Sequence, residues 1–249
     1  MLCDSGRWTG VEQGWIEDII IEDDLWIVGT ITGGLYRSTN NGKIAGDVIY
    51  RGTGLTHYDK DLGIGILKSK DKGKTWQETG LKFDKNQRNP VWDIACNASR
   101  NVLAAGKFFK SINGGESWTD ITQNLPILAW HYITSISSNA TNPNEVYVLL
   151  GKMDDSYLNK VYQSEDGGTT WKNVSTEIPP FETFKIEHIR NSSGVILASL
   201  GGLFYKNDKL DQWIELEGKI PPIAIHDFVI DIENRKNNRK YLRKRTMAN

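Results

Sequence analysis

The chain is poor in cysteine and histidine. Its 249 residues include two cysteines, Cys3 and Cys96, and four dispersed histidines, His57, His131, His188 and His226. So few cysteines exclude a disulfide-rich scaffold and a cysteine-rich zinc site, and the histidines lack zinc-ligand spacing. One disulfide and two free thiols both fit. No apolar run approaches the roughly 18 residues of a membrane span. The segment from Met1 to Trp8 has neither the basic nor the apolar stretch of a secretory signal, so none is expected in this chain. No phosphate-binding loop or nucleophile elbow occurs. Acidic residues are missing after Glu233, where Arg235, Lys236, Arg239, Lys240, Arg243, Lys244 and Arg245 follow. The formal net charge is only −1, which gives no general attraction to nucleic acid, and no nucleic-acid partner is expected. The basic tail reads as a solvated last strand or an accident of how the chain ends, ahead of a patch for acidic surfaces or nucleic acid.

What the chain does have is repetition. Ser69 to Trp76 reads S-x-D-x-G-x-T-W through Ser69, Asp71, Gly73, Thr75 and Trp76. The pattern returns with Ser111, Asn113, Gly115 and Trp118, and again with Ser164, Asp166, Gly168 and Trp171. A worn copy keeps Asp208 and Trp213, and a partial one lies at Ser38 to Gly42. Trp118, Trp171 and Trp213 are each followed eight residues later by a proline: Pro126, Pro179 and Pro221. A period of about 40–50 residues made of short strands specifies a radial or stacked all-β array.

Each unit predicts four strands. The first strands are expected at Ile16–Ile21, Val91–Cys96, Tyr132–Ser137, Phe184–Ile189 and Asp227–Ile232. Second strands follow as short apolar runs at 25–28, 48–50, 102–105, 146–150 and 195–200. Third strands enter the box and fourth strands leave from its tryptophan. In the box, the aspartate accepts bonds from its own turn's amides, the glycine permits positive φ and the serine adds a local bond. The tryptophans are expected to pack between neighbouring sheets, each burying on the order of 200 Å2. These box residues therefore read as structural.

The box resembles the Asp-box, or BNR, repeat of sialidase-like β-propellers. Gly33 to Ser38, Gly65 to Ser69 and Asn142 to Tyr147 also look like phrases of the BNR propellers found in large secreted bacterial proteins and in the sortilin-like ectodomain. The resemblance implies a β-propeller of four-stranded blades with Asp-box hairpins, about five blades' worth of sequence with imperfect ends. It divides the chain into a lead-in at 1–14, a propeller at 15–233 and a basic tail at 234–249. The spacing from Ser38 to Ser69 is only 31, against 42 from Ser69 to Ser111, and Ala45 stands where a tryptophan belongs. A fourth strand and the next first strand are therefore expected to be missing around Lys43–Gly46.

The family includes sialidases, xyloglucan-cleaving hydrolases, assembly factors, sorting receptors and proteins of no known activity, so the fold leaves activity open. The sialidase pattern implies an Arg-Ile-Pro-like segment, which this sequence lacks. The xyloglucanase pattern implies an aspartate just before Gly33-Gly34-Leu35-Tyr36-Arg37, where Thr30, Ile31 and Thr32 stand instead. Glycosidases generally need two carboxylates flanking the bond. The expected function is accordingly a non-catalytic binding or scaffold propeller of an exported or cell-surface bacterial protein. Its ligand would be a carbohydrate or a protein. The alternative is a glycoside hydrolase with unrecognised carboxylates.

Aligning the first strands sets a polar residue before an apolar one in each unit: Asp18, Asp93, Ser135, His188 and Asp227. Two readings compete for this set. The residues form a polar, ligand-binding ring facing the channel, or each one hydrogen-bonds a neighbouring blade's backbone. Trp15, Trp92, Trp130 and Tyr132 are aromatic contact candidates for sugar rings or a protein partner. No cofactor or metal is expected. Ca2+ enters only as an alternative at the polar ring, at the Asp59–Asp61 loop or at Asp154 and Asp155.

Overall fold

A computed structural model describes residues 16–22, 25–30, 34–37, 48–53, 64–71, 74–84, 91, 93–96, 102–104, 107–126, 131–139, 142–152, 160–175, 178, 182–189, 192–216, 225, 227–230 and 242–245. Their regular structure is β apart from one short 3-10 turn at Thr122–Asn124, and they divide into two compact units, Met1–Pro90 and Val91–Asn249.

The first unit holds two three-stranded antiparallel sheets. One joins β1 (Ile16–Glu22), β2 (Leu25–Thr30) and β3 (Gly34–Arg37) in order. The other joins β4 (Ile49–Gly52), β5 (Gly65–Ser69) and β6 (Gln77–Lys82). The segment around Lys43–Gly46, where the shortened repeat places the missing strands, lies outside the described residues.

The second unit holds three four-stranded meanders and one strand pair. The first meander is β7 (Ile94–Cys96), β8 (Val102–Ala104), β9 (Phe109–Ser111) and β10 (Thr119–Asp120). The next is β11 (His131–Ser138), β12 (Val146–Lys152), β13 (Lys160–Ser164) and β14 (Lys172–Asn173). The third is β15 (Thr183–His188), β16 (Val195–Ser199), β17 (Gly202–Lys206) and β18 (Ile214–Glu215). Last come β19 (Asp227–Ile230) and β20 (Leu242–Arg245). The segment expected as a basic tail thus supplies a strand, with Asp227 and Arg245 opposite each other in register.

Within the second unit successive sheets lie face to face, each first strand beside the next: β7 by β11, β11 by β15, β15 by β19. This is the blade packing of a β-propeller, and the chain folds as one. The second strands explain the core. Side chains alternate between strand faces. Val146, Val148 and Leu150 of β12 enter one apolar cluster with Leu103, Phe108 and Ile133. Tyr147 and Leu149 enter the next, with Ile186, Leu197, Phe204 and Trp213. β16 repeats the arrangement, with Val195 and Leu197 on one face and Ile196 and Ala198 on the other. A strand buried on both faces needs apolar residues throughout, so the second strands read as unbroken runs instead of alternating ones. The outer strands β10, β14 and β18 are exposed.

Candidate functional site

Two groups of polar residues stand out in this frame: the box turns and the first strands. In the box at 164–171, Ser164 Oγ donates to Asp166 Oδ1 at 2.8 Å and accepts the Gly168 amide at 2.8 Å. Asp166 Oδ1 accepts the Thr169 and Thr170 amides, and Oδ2 accepts the Thr170 hydroxyl at 2.6 Å. The Thr170 hydroxyl and amide hold the Asp166 carboxyl down at about 2. Asp71 is held at about 2 in the same way by Thr75, while Ser69 Oγ donates to it at 2.8 Å.

In the third box Asn113 takes the aspartate's place. Its Oδ1 accepts from Ser111 Oγ and the Ser117 amide, and its Nδ2 donates to Ser117 Oγ at 2.8 Å. Gly115 (φ 85°) and Gly168 (φ 93°) occupy the left-handed region that the turn requires. Gly73 lies outside the described residues. Asp208 departs from the pattern: it accepts from Ser193 Oγ at 2.6 Å, while Asn207 closes the local turn by accepting the Lys209 amide. Lys206 stands where the other boxes have serine, so the serine–aspartate bond has no donor there.

Two of the box tryptophans reach back onto the preceding sheet. Trp171 meets Phe108 edge-on at 5.6 Å, and Trp213 meets Tyr147 at 6.2 Å. Trp118 is half-buried and gives its Nε1–H to Gly115 O at 3.1 Å. The corresponding Gly168 carbonyl accepts from Asn124 Nδ2, so Trp171 Nε1 is left buried without a partner. Trp76 is half-buried.

The first strands show what the polar set does. Asp93 Oδ1 accepts the amide of Ile94 at 2.8 Å, and Oδ2 accepts the amide of Ile136, one sheet on, at 2.7 Å. Ser135 Oγ accepts the amide of Ile186, again one sheet on, in a long 3.4 Å bond. The residue in the next place is Lys185. Its ammonium sits 5.7 Å from the ring centroid of Phe228 in the following sheet. The strand pairing explains this register. Bulges fall between Ile133 and Ser135 and between Thr183 and Lys185, which makes Ser135 and Lys185 equivalent. Both Lys185-Ile186 and His188-Ile189 satisfy the rule of polar before apolar, and the bulge selects the first. Each polar residue thus touches its neighbour's following residue, so the backbone-bonding reading describes Asp93 and Ser135. Asp18 lies after the corresponding bulge in β1, paired with Gly29, and Asp227 pairs with Arg245. Tyr132 pairs with Gly151 in β11. Trp15, Trp92, Trp130, Asp59, Asp61, Asp154 and Asp155 lie outside the described residues.

His188 occupies a different place, at the end of β15 in the seam with β11 and β12. Ser137 Oγ accepts the His188 amide at 2.8 Å and lies 2.7 Å from Nδ1. Nε2 stands 3.8 Å from Glu145 Oε2. That oxygen also accepts from Asn139 Nδ2 at 2.7 Å. Partial burial raises the Glu145 carboxyl, but the nearby His188 ring and the bond from Asn139 outweigh this and leave it below the usual range. Ser137, Asn139 and Glu145 escaped the sequence reading. Ser137 carried a signal, since it lies two residues beyond Ser135 on the same strand face. Among the described residues, no group of three or more His, Cys, Asp or Glu is arranged to hold a metal ion. No helix among them is long and apolar enough to cross a membrane.

Comparison with known proteins points the same way for the fold. No protein-family model matches the chain. It is similar to the xyloglucanase Xgh74A of Acetivibrio thermocellus, 27% identical over 137 residues, which takes in 44% of this chain and 16% of that protein. Among solved structures it is similar to a GH74 enzyme of Niastella koreensis, with a TM-score of 0.64 and 16% identity. It is also similar to the GH74 xyloglucanase of Xanthomonas campestris, with a TM-score of 0.61 and 17% identity. Each structural likeness covers 85% of this chain and 38% of the other. The chain therefore spans well under half the length of these relatives.

Proposed function

We propose that this chain is a non-catalytic binding module of the Asp-box, or BNR, kind, belonging to an exported or cell-surface bacterial protein. Its ligand is a carbohydrate or a protein. The observation that carries the reading is Asp93. Both of its carboxylate oxygens accept backbone amides, one of them from the next sheet. A carboxylate so engaged supports the seam; it is not poised to protonate a leaving group or attack a sugar. The hydrogen-bonded turns at Asp71, Asn113 and Asp166 support the Asp-box assignment.

One observation favours a second reading, glycoside hydrolysis: the 27% identity to a xyloglucanase over part of the chain. Affinity electrophoresis in gels containing xyloglucan, other plant β-glucans or sialylated glycans, run beside a reducing-end assay, separates the two. The expected result is retardation by at least one polysaccharide with no release of reducing ends. Turnover that disappears in an Asp18→Asn variant of unchanged circular dichroism would establish the hydrolase instead.

A further inference from the structure

The sheet formed by β19 and β20 departs from the meanders of its unit. Those meanders close on two-residue strands, whereas β20 is four residues long. Among the described residues β20 pairs with β19 alone, through Ile230–Leu242, Val229–Arg243, Phe228–Lys244 and Asp227–Arg245. A strand paired on one side leaves a row of N–H and C=O groups along its other side without ladder partners. Two strands alone make a marginal sheet in water, so a third strand strengthens it. The inner strand of this sheet is anchored. Phe228 is buried, and Ile230 packs against the same apolar cluster as Ile196 and Ala198. β20 thus lies beside a fixed platform.

Charge decides what can join it. Arg243, Lys244 and Arg245 make β20 basic at all but its first residue, and β19 sets one carboxylate across from them, Asp227 opposite Arg245. Arg243 and Lys244 stand opposite Val229 and Phe228 in register, which neutralise nothing. The preceding segment adds Arg235, Lys236, Arg239 and Lys240, and no acidic residue follows Glu233. The formal net charge of the whole chain is −1, so the basic excess is local to this strand and its lead-in. Like charges directly opposite each other destabilise a strand pair, and opposite charges stabilise it. A second β20 is therefore turned away from this edge, as charged edges generally turn away their own kind. An extended acidic segment instead gains cross-strand attraction on top of main-chain bonds.

We propose that the edge of β20 away from β19 is a docking site for an acidic, extended segment of a partner protein, which joins the sheet as a third strand. The partner's backbone supplies the ladder, and its carboxylates answer the positive charge of Arg243 and Lys244. Attraction between unlike charges speeds the encounter and weakens with salt, while the ladder fixes the register. The site is separate from the first-strand seams. A catalytic module with the same edge would bind the same segment, so the inference does not rest on an absence of catalysis.

The test titrates the full chain into a short fluorescent peptide alternating glutamate with valine and follows the anisotropy. Three further probes run beside it: the same peptide N-methylated at every backbone amide, its counterpart with lysine for glutamate, and a single-stranded oligonucleotide. The glutamate peptide should bind at least roughly tenfold more tightly than each of them. A smaller margin over the N-methylated peptide or the oligonucleotide would reduce the site to a charge patch and overturn strand addition. A smaller margin over the lysine peptide would show that charge selects nothing, and no binding of the glutamate peptide would end the proposal. Hydrogen exchange locates the contact. Amides of Leu242–Arg245 should gain protection with the glutamate peptide, and protection gained only elsewhere refutes β20 as the site. The double variant Arg243→Glu, Lys244→Glu leaves Asp227 opposite Arg245 and should reverse the preference toward the lysine peptide. An unchanged preference refutes the role given to these charges. If the variant does not fold, the four probes on the native chain decide. A negative result here leaves the outcome of the polysaccharide gels untouched.

Discussion

At the scale of single residues, the box turns show one geometry built with two chemistries. Asp166 and Asn113 each accept a serine hydroxyl and the amide four residues on. They differ in charge, and this difference has a measurable consequence. The Asp166 carboxyl is depressed from 3.8 to about 2, so its contribution is fully present above 3.8 and is lost as pH falls toward 2. The turn is exposed, so solvent screening limits the effect, and Asp166→Ala should cost only about 1 kcal/mol at neutral pH. Asp166→Asn should keep the turn, as Asn113 does naturally, and should flatten that part of the acid limb. Urea midpoints measured across this range check both outcomes. A loss of ligand binding in Asp166→Ala without any loss of stability would instead give the box a functional role.

At the scale of elements, the tryptophans and the second strands form the seams. Trp213 is buried among Tyr147, Leu149, Val161 and Val174, yet its Nε1–H has no partner. Trp213→Ala should therefore destabilise the fold by about 3–5 kcal/mol, through lost contacts and the cavity left behind. Trp213→Phe should cost less, because it removes an unpaired donor along with part of the ring. Guanidinium denaturation of the two variants gives the comparison. The strands themselves were legible because burial on both faces demands unbroken apolar runs such as Val146 to Leu150, bounded by turn residues. The box register was legible because serine, aspartate, glycine and tryptophan each have a fixed task in the turn. The first-strand register was only partly so. A bulge is a backbone event that adds one residue without a distinctive side chain, so the sequence places His188 in the set where strand pairing places Lys185. Glu145 was invisible as a partner of His188 because the two come together only through sheet stacking.

At the scale of the molecule, the second unit is a row of sheets in which each apolar cluster is shared by two neighbours. Such a row is stabilised by nearest-neighbour interfaces, and local opening should follow their distribution. Native-state hydrogen exchange should be slowest in β12 and β16, which have a seam on both faces, and fastest in β10, β14 and β18. Uniform protection across these strands would contradict the seam picture. The outer strands of this unit carry one more consequence. A set of similar open sheets within one chain invites mispairing, because every unpaired edge is a template for another. Here each outer strand is only two residues long, and Thr119-Asp120, Lys172-Asn173 and Ile214-Glu215 together supply five polar residues out of six. An edge so short and so hydrophilic gives an incoming strand almost nothing to hold. Repetition, which otherwise raises the hazard of aggregation, is made tolerable by trimming the one strand per sheet that strangers can reach.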